Sequence, residues 1–209
     1  MKARKRIGET SYKETSFGII PRSKLILLEI EGIKRAWDFV LQKNNSKSFL
    51  LTTTFLKKVH NIGFGWIFPD FGGKFRIVEV SASGHIPPKY YLVPQLMEDL
   101  TRDLKIRLKY LSKVKGDEFL DVLIETLAWA HHRFLWIHPF RDYNGRVGRL
   151  LINMILLKFQ FPPSELKVET LSRRKKYIQA LQKADAGDYT GLQKMIREAL
   201  EEAVQSLKS

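Results

Sequence analysis

The sequence predicts a mainly α-helical protein with one small β-hairpin. Apolar residues recur at helical spacing along most of the chain, which is typical of amphipathic helices packed around a core. One region differs: residues 74–80, which follow Gly72-Gly73, contain β-branched residues in partial alternation and predict a strand. Pro87-Pro88 ends that region. We therefore expect a helical bundle with a hairpin at 72–88.

Breaks in the helical pattern divide the chain into an N-terminal arm and one domain. Residues 1–23 are basic and polar, and Gly18 and Pro21 predict that they form an arm. Residues 24–209 are expected to form a single domain, which is long enough to bury a substantial core. The helices of this domain are expected at 24–41, 49–62, 93–108, 119–136, 150–157, 171–184 and 189–207.

Composition narrows the functional classes. The chain has no cysteine, so disulfide, thiolate and cysteine–zinc chemistry are excluded. No apolar run has the position of a secretory signal or the length of a membrane span, so we expect no membrane segment and a cytoplasmic location. The net charge of +14 suits a polyanionic partner. Nucleic acid is a possible partner but is not favoured, because the lysines are spread along the chain and no nucleic-acid-binding motif is present.

The run HPFRDYNGRVGR occupies residues 138–149 and leads into an apolar helix. Asn144 and Gly145 stand where that helix would begin, so the amides of its first turn lack intrahelical partners and lie at the positive end of the helix dipole. Such a helix start binds anions. Arg146 and Arg149 are three residues apart, lie on one face of the helix and would contact the same anion.

Two further side chains of this run add chemistry. Asp142 offers a hard oxygen ligand for a divalent ion such as Mg²⁺. His138 is a base that can be neutral near pH 7. Together with the helix amides and the two guanidinium groups, they predict phosphoryl or nucleotidyl transfer. A zinc site at His131 and His138 is disfavoured, because no cysteine or suitably spaced carboxylate accompanies them, and a buried, hydrogen-bonded His131 is expected instead.

The run at 138–149 resembles the signature of the Fic family, HPFx(D/E)GNGRxxR, and the likeness extends over roughly residues 25–205. Members of this family have a helical-bundle fold and transfer a nucleotide, usually AMP from ATP, onto a hydroxyl side chain of a target protein. The resemblance implies a protein adenylyltransferase with a catalytic helix–loop–helix core at 119–161. It also implies that residues 72–88 form a flap that holds the target segment, and it allows the reverse reaction, removal of AMP.

The same resemblance assigns roles to individual residues. His138 would deprotonate the target hydroxyl, and Asp142 would hold Mg²⁺ on the phosphates of ATP. The arginines would bind the outer phosphates, backbone amides and one asparagine side chain would stabilise charge on the phosphates, and a tyrosine would approach the adenine. A tyrosine of the core is an equal alternative for the last role. The residues assigned to the nucleotide are Tyr143, Asn144, Gly145, Arg146, Arg149 and Tyr177.

Tyr143 departs from the family signature, which has glycine at this position. If the position requires a positive φ, a tyrosine there costs roughly 1 kcal/mol of strain or more. The backbone amide is still present, so the number of donors to a bound anion does not change.

Residues 24–42 carry a second resemblance. The segment Leu28–Gly32 resembles the inhibitory helix of many Fic proteins, (S/T)xxxE(G/N), with Leu27 in place of the hydroxyl residue. It implies that Glu31 pairs with Arg149, misplaces ATP and restrains transfer. An exposed surface glutamate is the simpler interpretation. The other function class that the sequence allows is a catalytically silent domain that binds nucleotide or nucleic acid.

Overall fold

The computed structural model describes residues 12–44, 50–82 and 84–207 and shows a mainly α-helical bundle, which confirms the predicted class. Residues 1–11 of the predicted arm lie outside the described residues. No helix in the described ranges is both long and apolar enough to cross a membrane. The helices are α1 at Arg22–Asn44, α2 at Thr53–His60, α3 at Val93–Leu111, α4 at Glu118–Ile137, α5 at Asn144–Lys158, α6 at Leu171–Asp185 and α7 at Thr190–Ser206.

The core surrounds α4. Leu123, Leu127, Ala130 and Phe134, which helical spacing aligns on one stripe, are all fully buried. Full burial of a large apolar side chain contributes about 1.5–3 kcal/mol. Because α4 packs against α3, α5, α6 and α7, its C-terminal end is held in the middle of the bundle. The loop of residues 138–143 starts from that fixed point.

Helix α1 packs beside α5 and on a wide helical turn that continues α2 at Asn61–Gly65. Gly32 lies at the closest approach, because a Cβ on this residue would stand 2.1 Å from the carbonyl oxygen of Gly63. Any side chain there would force the two elements apart. Gly32 therefore allows α1 to lie directly against the neighbouring turn, and the helix runs through it without a break.

The β-hairpin lies in the N-terminal arm, not at 72–88. Strands β1 at Tyr12–Thr15 and β2 at Gly18–Pro21 pair antiparallel. The amide of Ser16 in the turn donates to the carbonyl oxygen of Ile67 (2.9 Å), which attaches the hairpin to the segment after α2. The expectation of a small hairpin in the fold is confirmed, but the position predicted for it, 72–88, is wrong.

Residues 74–80 form no strand, so the strand predicted there is wrong. The amide of Arg76 donates to the carbonyl oxygen of Pro139 (2.9 Å), and its side chain donates to the carbonyl oxygens of Val78 and His138. This segment therefore satisfies its polar groups against the loop after α4 and not against a partner strand. Residues 72–88 consequently lie beside the signature run, where a flap is expected.

Candidate active site

The run at 138–149 folds as the end of α4, a short loop and the first turn of α5. The amide of His138 donates to the carbonyl oxygen of Phe134 (3.1 Å) and closes α4. Two loop residues have left-handed backbones: His138 has a φ of 51° and Tyr143 a φ of 65°. Each such residue costs about 1–3 kcal/mol and persists only where its surroundings enforce it. These two positions turn the chain out of one helix and into the next.

Asn144 and Phe140 help to enforce the loop backbone. The Asn144 side chain accepts from the Phe140 amide through Oδ1 (2.9 Å) and donates to the Phe140 carbonyl oxygen through Nδ2 (2.7 Å). Phe140 is fully buried and stacks on His60 with 3.9 Å between the ring centroids. The Asn144 side chain thus holds the loop through both ends of its amide, and because Nδ2 has a second hydrogen, its contact with phosphate stays a prediction.

His138 is half-buried beside the central cavity. Its Nδ1 lies 3.2 Å from the carbonyl oxygen of Leu135, a contact in which Nδ1 carries the proton and Nε2 is the basic nitrogen. Burial lowers the pKa of His138, and the positive charge of Arg76 acts in the same direction, so that together they outweigh the hydrogen bond to Leu135. The ring is therefore neutral at pH 7, as a general base must be.

Arg76, which the sequence patterns did not single out, positions His138. Its Nε donates to the carbonyl oxygen of His138 (2.8 Å), and Nη2 lies 3.4 Å from the carbonyl oxygen of Ile137. Arg76 is only 3% exposed, and Glu79 lies 3.6 Å from its guanidinium group. Because this buried guanidinium binds the carbonyl oxygen of His138, which has a left-handed backbone, it fixes the histidine backbone and joins it to the segment at residues 72–88.

Asp142 uses both carboxylate oxygens. Oδ1 accepts from the Tyr143 amide (2.7 Å), and Oδ2 pairs with the ammonium group of Lys13 (2.8 Å). Burial would raise the pKa of Asp142, but these contacts outweigh it and hold the pKa below its usual value. An ionised hard-oxygen ligand beside an anion site fits Mg²⁺, which proteins commonly hold through one or two carboxylates together with substrate phosphates. No group of three or more potential metal ligands occurs among the described residues.

Of the amides of residues 143–146, which were expected to bind anions, two are engaged inside the loop. The Tyr143 amide donates to Asp142, and the Arg146 amide donates to the carbonyl oxygen of Tyr143 (3.0 Å). Within the described parts of the chain, the amides of Asn144 and Gly145 have no such partner, and both residues line the central cavity. The predicted anion site would therefore rest on these two amides and on the dipole of α5.

Tyr143 has the positive φ that was considered for its position, and its side chain enforces that conformation. The ring stacks on Phe64 with 4.0 Å between centroids and lies 5.7 Å from the ring of Phe68. The hydroxyl donates to Oε1 of Glu29 (2.9 Å). Burial and the negative charge of Glu29 both raise the pKa of Tyr143, so the hydroxyl remains a donor at neutral pH.

Glu29 is the carboxylate of α1 that reaches the site. It is 1% exposed, its Oε2 pairs with Arg146 (2.6 Å), and its Oε1 pairs with Arg22 (2.6 Å). Burial would raise the pKa of Glu29, but the contacts with Arg146, Tyr143 and Arg22 bring the pKa below its usual value. A buried carboxylate needs such partners, because an unpaired buried charge is strongly destabilising.

The expected ion pair between Glu31 and Arg149 is wrong. The Glu31 side chain is 45% exposed and pairs with Arg35, one turn further along α1, at 2.9 Å. Residues two positions apart on a helix face nearly opposite sides. Because Glu29 lies on the buried face of α1, Glu31 faces away from the cavity.

Arg149 lies beside Tyr177 instead. Burial raises the pKa of Tyr177, and the positive charge of Arg149 opposes that effect. The Tyr177 hydroxyl lies 2.7 Å from Nε2 of His131, and Nδ1 of His131 lies 2.9 Å from the carbonyl oxygen of Gly148. The ring therefore donates from Nδ1 and accepts at Nε2 from the tyrosine. This confirms the expectation that His131 is a buried, hydrogen-bonded histidine.

A cavity of about 600 Å³ joins these groups. Its volume lies in the range of small-molecule sites, about 300–1,000 Å³. Its walls come from α1, from the loop between α4 and α5, from the segment at residues 72–88 and from α6. It brings together every predicted site residue except Glu31, namely His138, Asp142, Tyr143, Asn144, Gly145, Arg146, Arg149 and Tyr177.

Sequence patterns missed four side chains of the site, namely Lys13, Arg22, Glu29 and Arg76. Of these, Glu29 carried a signal, since it lies four residues after Leu25 and three before Gly32, on the buried stripe of α1. The two N-terminal cations carried none, because their contacts depend on how the hairpin docks. Arg76 was concealed inside a stretch that resembled a strand.

Comparisons with known proteins identify the family of this chain. The model of the Fic/DOC family matches residues 50–156, about half of the chain. Protein adenylyltransferase Fic from Nematostella vectensis is 31% identical over 175 residues, which cover 84% of this chain and 38% of that protein. The protein of the same name from Culex quinquefasciatus is 31% identical over 178 residues, covering 83% of this chain and 32% of that protein. The chain thus spans about a third of the length of these curated relatives.

Solved structures share the fold. Fic-1 from C. elegans superposes with a TM-score of 0.69 at 25% sequence identity, covering 86% of this chain and 51% of that one. A Fic domain containing signaling protein from Bacteroides thetaiotaomicron gives a TM-score of 0.71 over 85% of this chain and 69% of its own, at 19% identity, which supports the fold alone. With the family match over half its length and the signature residues around one cavity, this chain belongs to the Fic/DOC family.

Proposed function

We propose that this chain transfers AMP from ATP to a hydroxyl side chain of a target protein. The proposal rests chiefly on the cavity, where a neutral His138 lies with two arginines and an ionised carboxylate around a helix start. The names of the relatives, protein adenylyltransferases, point to the same reaction. Because the chain spans about a third of those proteins, the activity is inferred from its own residues as well.

In this mechanism the target hydroxyl gives its proton to Nε2 of His138 while its oxygen attacks the α-phosphorus of ATP. A new oxygen–phosphorus bond forms, the bond from the α-phosphorus to the oxygen shared with the β-phosphate breaks, and pyrophosphate leaves with the electron pair. A positioned general base contributes a rate factor of about 10²–10⁴. The amides of Asn144 and Gly145 stabilise the charge that develops on the phosphates.

The remaining residues of the cavity bind and orient the nucleotide. Arg146 and Arg149 hold the outer phosphates through charge-assisted hydrogen bonds. Asp142 would hold Mg²⁺, which neutralises phosphate charge when it is bound. The ring of Tyr177 lines the far part of the cavity, where the adenine would lie, while its hydroxyl remains on His131.

Glu29 restrains transfer in this account, the role that the resemblance assigned to Glu31. Its carboxylate occupies one guanidinium group of the phosphate site, that of Arg146, at 2.6 Å. A phosphate oxygen cannot bind the same face of Arg146 without displacing Glu29, and two negative charges held close together in a partly buried site repel strongly. ATP therefore binds with its phosphates misplaced until Glu29 moves.

The target segment docks at residues 72–88, the flap. Two large apolar side chains of this segment are exposed, Ile77 at 80% and Ile86 at 85%. Exposed apolar side chains are typical of surfaces that bind another protein. Arg76 ties this segment to the backbone of His138, so a hydroxyl presented by a segment bound there would lie near the base.

Labelled ATP tests the proposal directly. The chain carrying Glu29→Gly is incubated with lysate proteins and with ATP labelled in either its α-phosphate or its γ-phosphate. We expect label on protein from the α-phosphate only, and none when His138→Ala is added. Label from the γ-phosphate would instead indicate phosphoryl transfer. ATP binding without either label would indicate a silent nucleotide-binding domain.

A further inference from the structure

We propose that one continuous N-terminal segment, residues 13–29, occupies the site as an internal mimic of a metal–nucleotide complex. In this account the ammonium group of Lys13 takes the place of the divalent cation on Asp142, while the carboxylate of Glu29 takes the place of a phosphate on Arg146. The inference rests on the proposed function for the identity of the two sites. Its new element is Lys13. Because Lys13 and the divalent cation bind the same carboxylate, docking of the hairpin competes with cation binding.

The contact of Lys13 with Asp142 occupies the carboxylate oxygen that has no backbone partner. Oδ2 accepts from the ammonium group at 2.8 Å, and Oδ1 is already bound to the Tyr143 amide. A divalent cation at Oδ2 would lie beside the ammonium group, and the repulsion between these positive charges would displace Lys13. Both side chains are partly exposed, at 47% for Lys13 and 41% for Asp142, so the cation has access. An ion pair of this exposure is weak enough to exchange.

The hairpin fixes where Lys13 can reach. Lys13 lies on β1, paired with Ile20 of β2. The turn is attached by the Ser16 amide on the carbonyl oxygen of Ile67, and the ring of Phe17 packs edge-on against Trp66 with 5.7 Å between centroids. The ammonium group is thus delivered by a docked element and not by a freely moving tail.

The contacts of Lys13 and Glu29 belong to one continuous segment of the chain. β2 ends at Pro21, and α1 begins at the next residue, Arg22, whose guanidinium group pairs with Glu29. A bound cation would repel Lys13, and bound phosphates would repel Glu29, so the metal–nucleotide complex acts on both ends of the same segment. The cation alone would act only on the contact of Lys13, and the nucleotide alone would act only on the contact of Glu29. Cation and nucleotide are therefore expected to release the segment together.

Calorimetric titration with ADP measures this competition without turnover. ADP is not a substrate of the proposed reaction, because it cannot release pyrophosphate. The quantity of interest is the ratio of the Kd for ADP alone to the Kd for ADP with Mn²⁺. Lys13→Met should raise this ratio about twofold to fivefold, the size of an exposed ion pair. Lys13→Arg, which keeps the charge, should retain the wild-type ratio, and Lys109→Met, on the exposed face of α3, should leave it unchanged.

Asp142→Asn separates this inference from the proposed function. If Asp142→Asn lowers the ratio while Lys13→Met leaves it unchanged, the cation site stands and the competition with Lys13 is overturned. If ADP binds none of the chains, both the nucleotide site and the inference are overturned. Hydrogen exchange gives a second readout, because ADP with Mn²⁺ should speed exchange of the amides of residues 12–21 in wild type relative to ADP alone. Equal exchange under both conditions would contradict displacement of the hairpin.

Discussion

The hydroxyl of Tyr143 donates a 2.9 Å hydrogen bond to Oε1 of Glu29, and so connects the catalytic loop to α1. Tyr143 stands where the family signature has glycine. The same residue therefore carries backbone strain, with a φ of 65°, and anchors the carboxylate that occupies Arg146. The departure from the signature therefore links Glu29, the proposed restraint on transfer, to Arg146 of the proposed phosphate site.

Tyr143→Phe removes that link and keeps the ring. Hydrogen bonds to charged groups contribute about 1.5–3 kcal/mol. Glu29 should therefore release Arg146 more readily, and we expect faster labelling from ATP together with a lower melting temperature. The comparison is the initial rate of AMP incorporation by wild type and variant at equal enzyme and ATP. Unchanged labelling would mean that the hydroxyl does not hold Glu29 in place.

Tyr143→Gly should destabilise the protein despite relieving strain. Glycine at a positive φ recovers roughly 1 kcal/mol. Loss of a buried aromatic ring costs about 3–5 kcal/mol, and this ring stacks on Phe64. The free energy of unfolding measured in urea should therefore fall by a few kcal/mol. A more stable variant would show that strain outweighs packing at this position.

His138→Ala should abolish transfer and leave ATP binding intact. The imidazole is held by Leu135, so its removal should leave the loop hydrogen bonds of Asn144 in place. The expected loss is about 10²–10⁴-fold in rate. Calorimetry with ATP serves as the control for binding. A variant that labels targets at the wild-type rate would remove His138 from the role of base.

The fold should begin to lose stability at a pH of about 6.5, above the range in which carboxylates titrate. Burial lowers the pKa of His60 and of His131 to about 4, against 6.5 for an ordinary histidine. Between those values the unfolded chain binds protons that the folded chain does not, so stability is present above pH 6.5 and is lost as the pH falls towards 4. Each histidine should contribute about 1.4 kcal/mol per pH unit.

Urea unfolding at pH 6.5, 5.5 and 4.5 checks this dependence. His60→Gln should remove the share of His60, whose Nε2 lies 3.2 Å from the carbonyl oxygen of Asp142. A free energy of unfolding that does not change across this range in wild type would contradict the burial of neutral histidines.

The fold class and most helices followed from sequence because apolar spacing directly reports which helix face is buried. Phe134 and its neighbours on α4 were aligned by that spacing, and all of them are buried. The prediction of a strand at 74–80 was wrong because an alternating apolar pattern cannot distinguish a strand from an extended segment that forms hydrogen bonds with a loop. Arg76 bonds to the backbone of the signature loop and takes the role that a partner strand would have had.

The site was predictable where its residues are close in sequence. Residues 138–149 contain the proposed base, the proposed anion-binding amides and both arginines, and they line one cavity from one loop and one helix turn. The prediction for Glu31 was wrong because the motif resemblance gives a position in the sequence, whereas packing decides which helix face is buried. Gly32 packs against Gly63, and this contact turns Glu29 towards the core. Lys13 could not be predicted, because it reaches Asp142 only through the docking of the hairpin.

Substitution of the two glutamates of α1 tests the central claim, that Glu29 restrains AMP transfer from ATP. Glu29→Gly should raise labelling from the α-phosphate by about tenfold or more, equivalent to at least about 1.4 kcal/mol in the barrier. Glu31→Gly is the matched control, since Glu31 pairs with Arg35 on the outer face, and it should label like wild type. Adding His138→Ala to Glu29→Gly should abolish the gain. Equal labelling by wild type and Glu29→Gly, with both folded and binding ATP alike, or a gain with Glu31→Gly alone, would contradict the account.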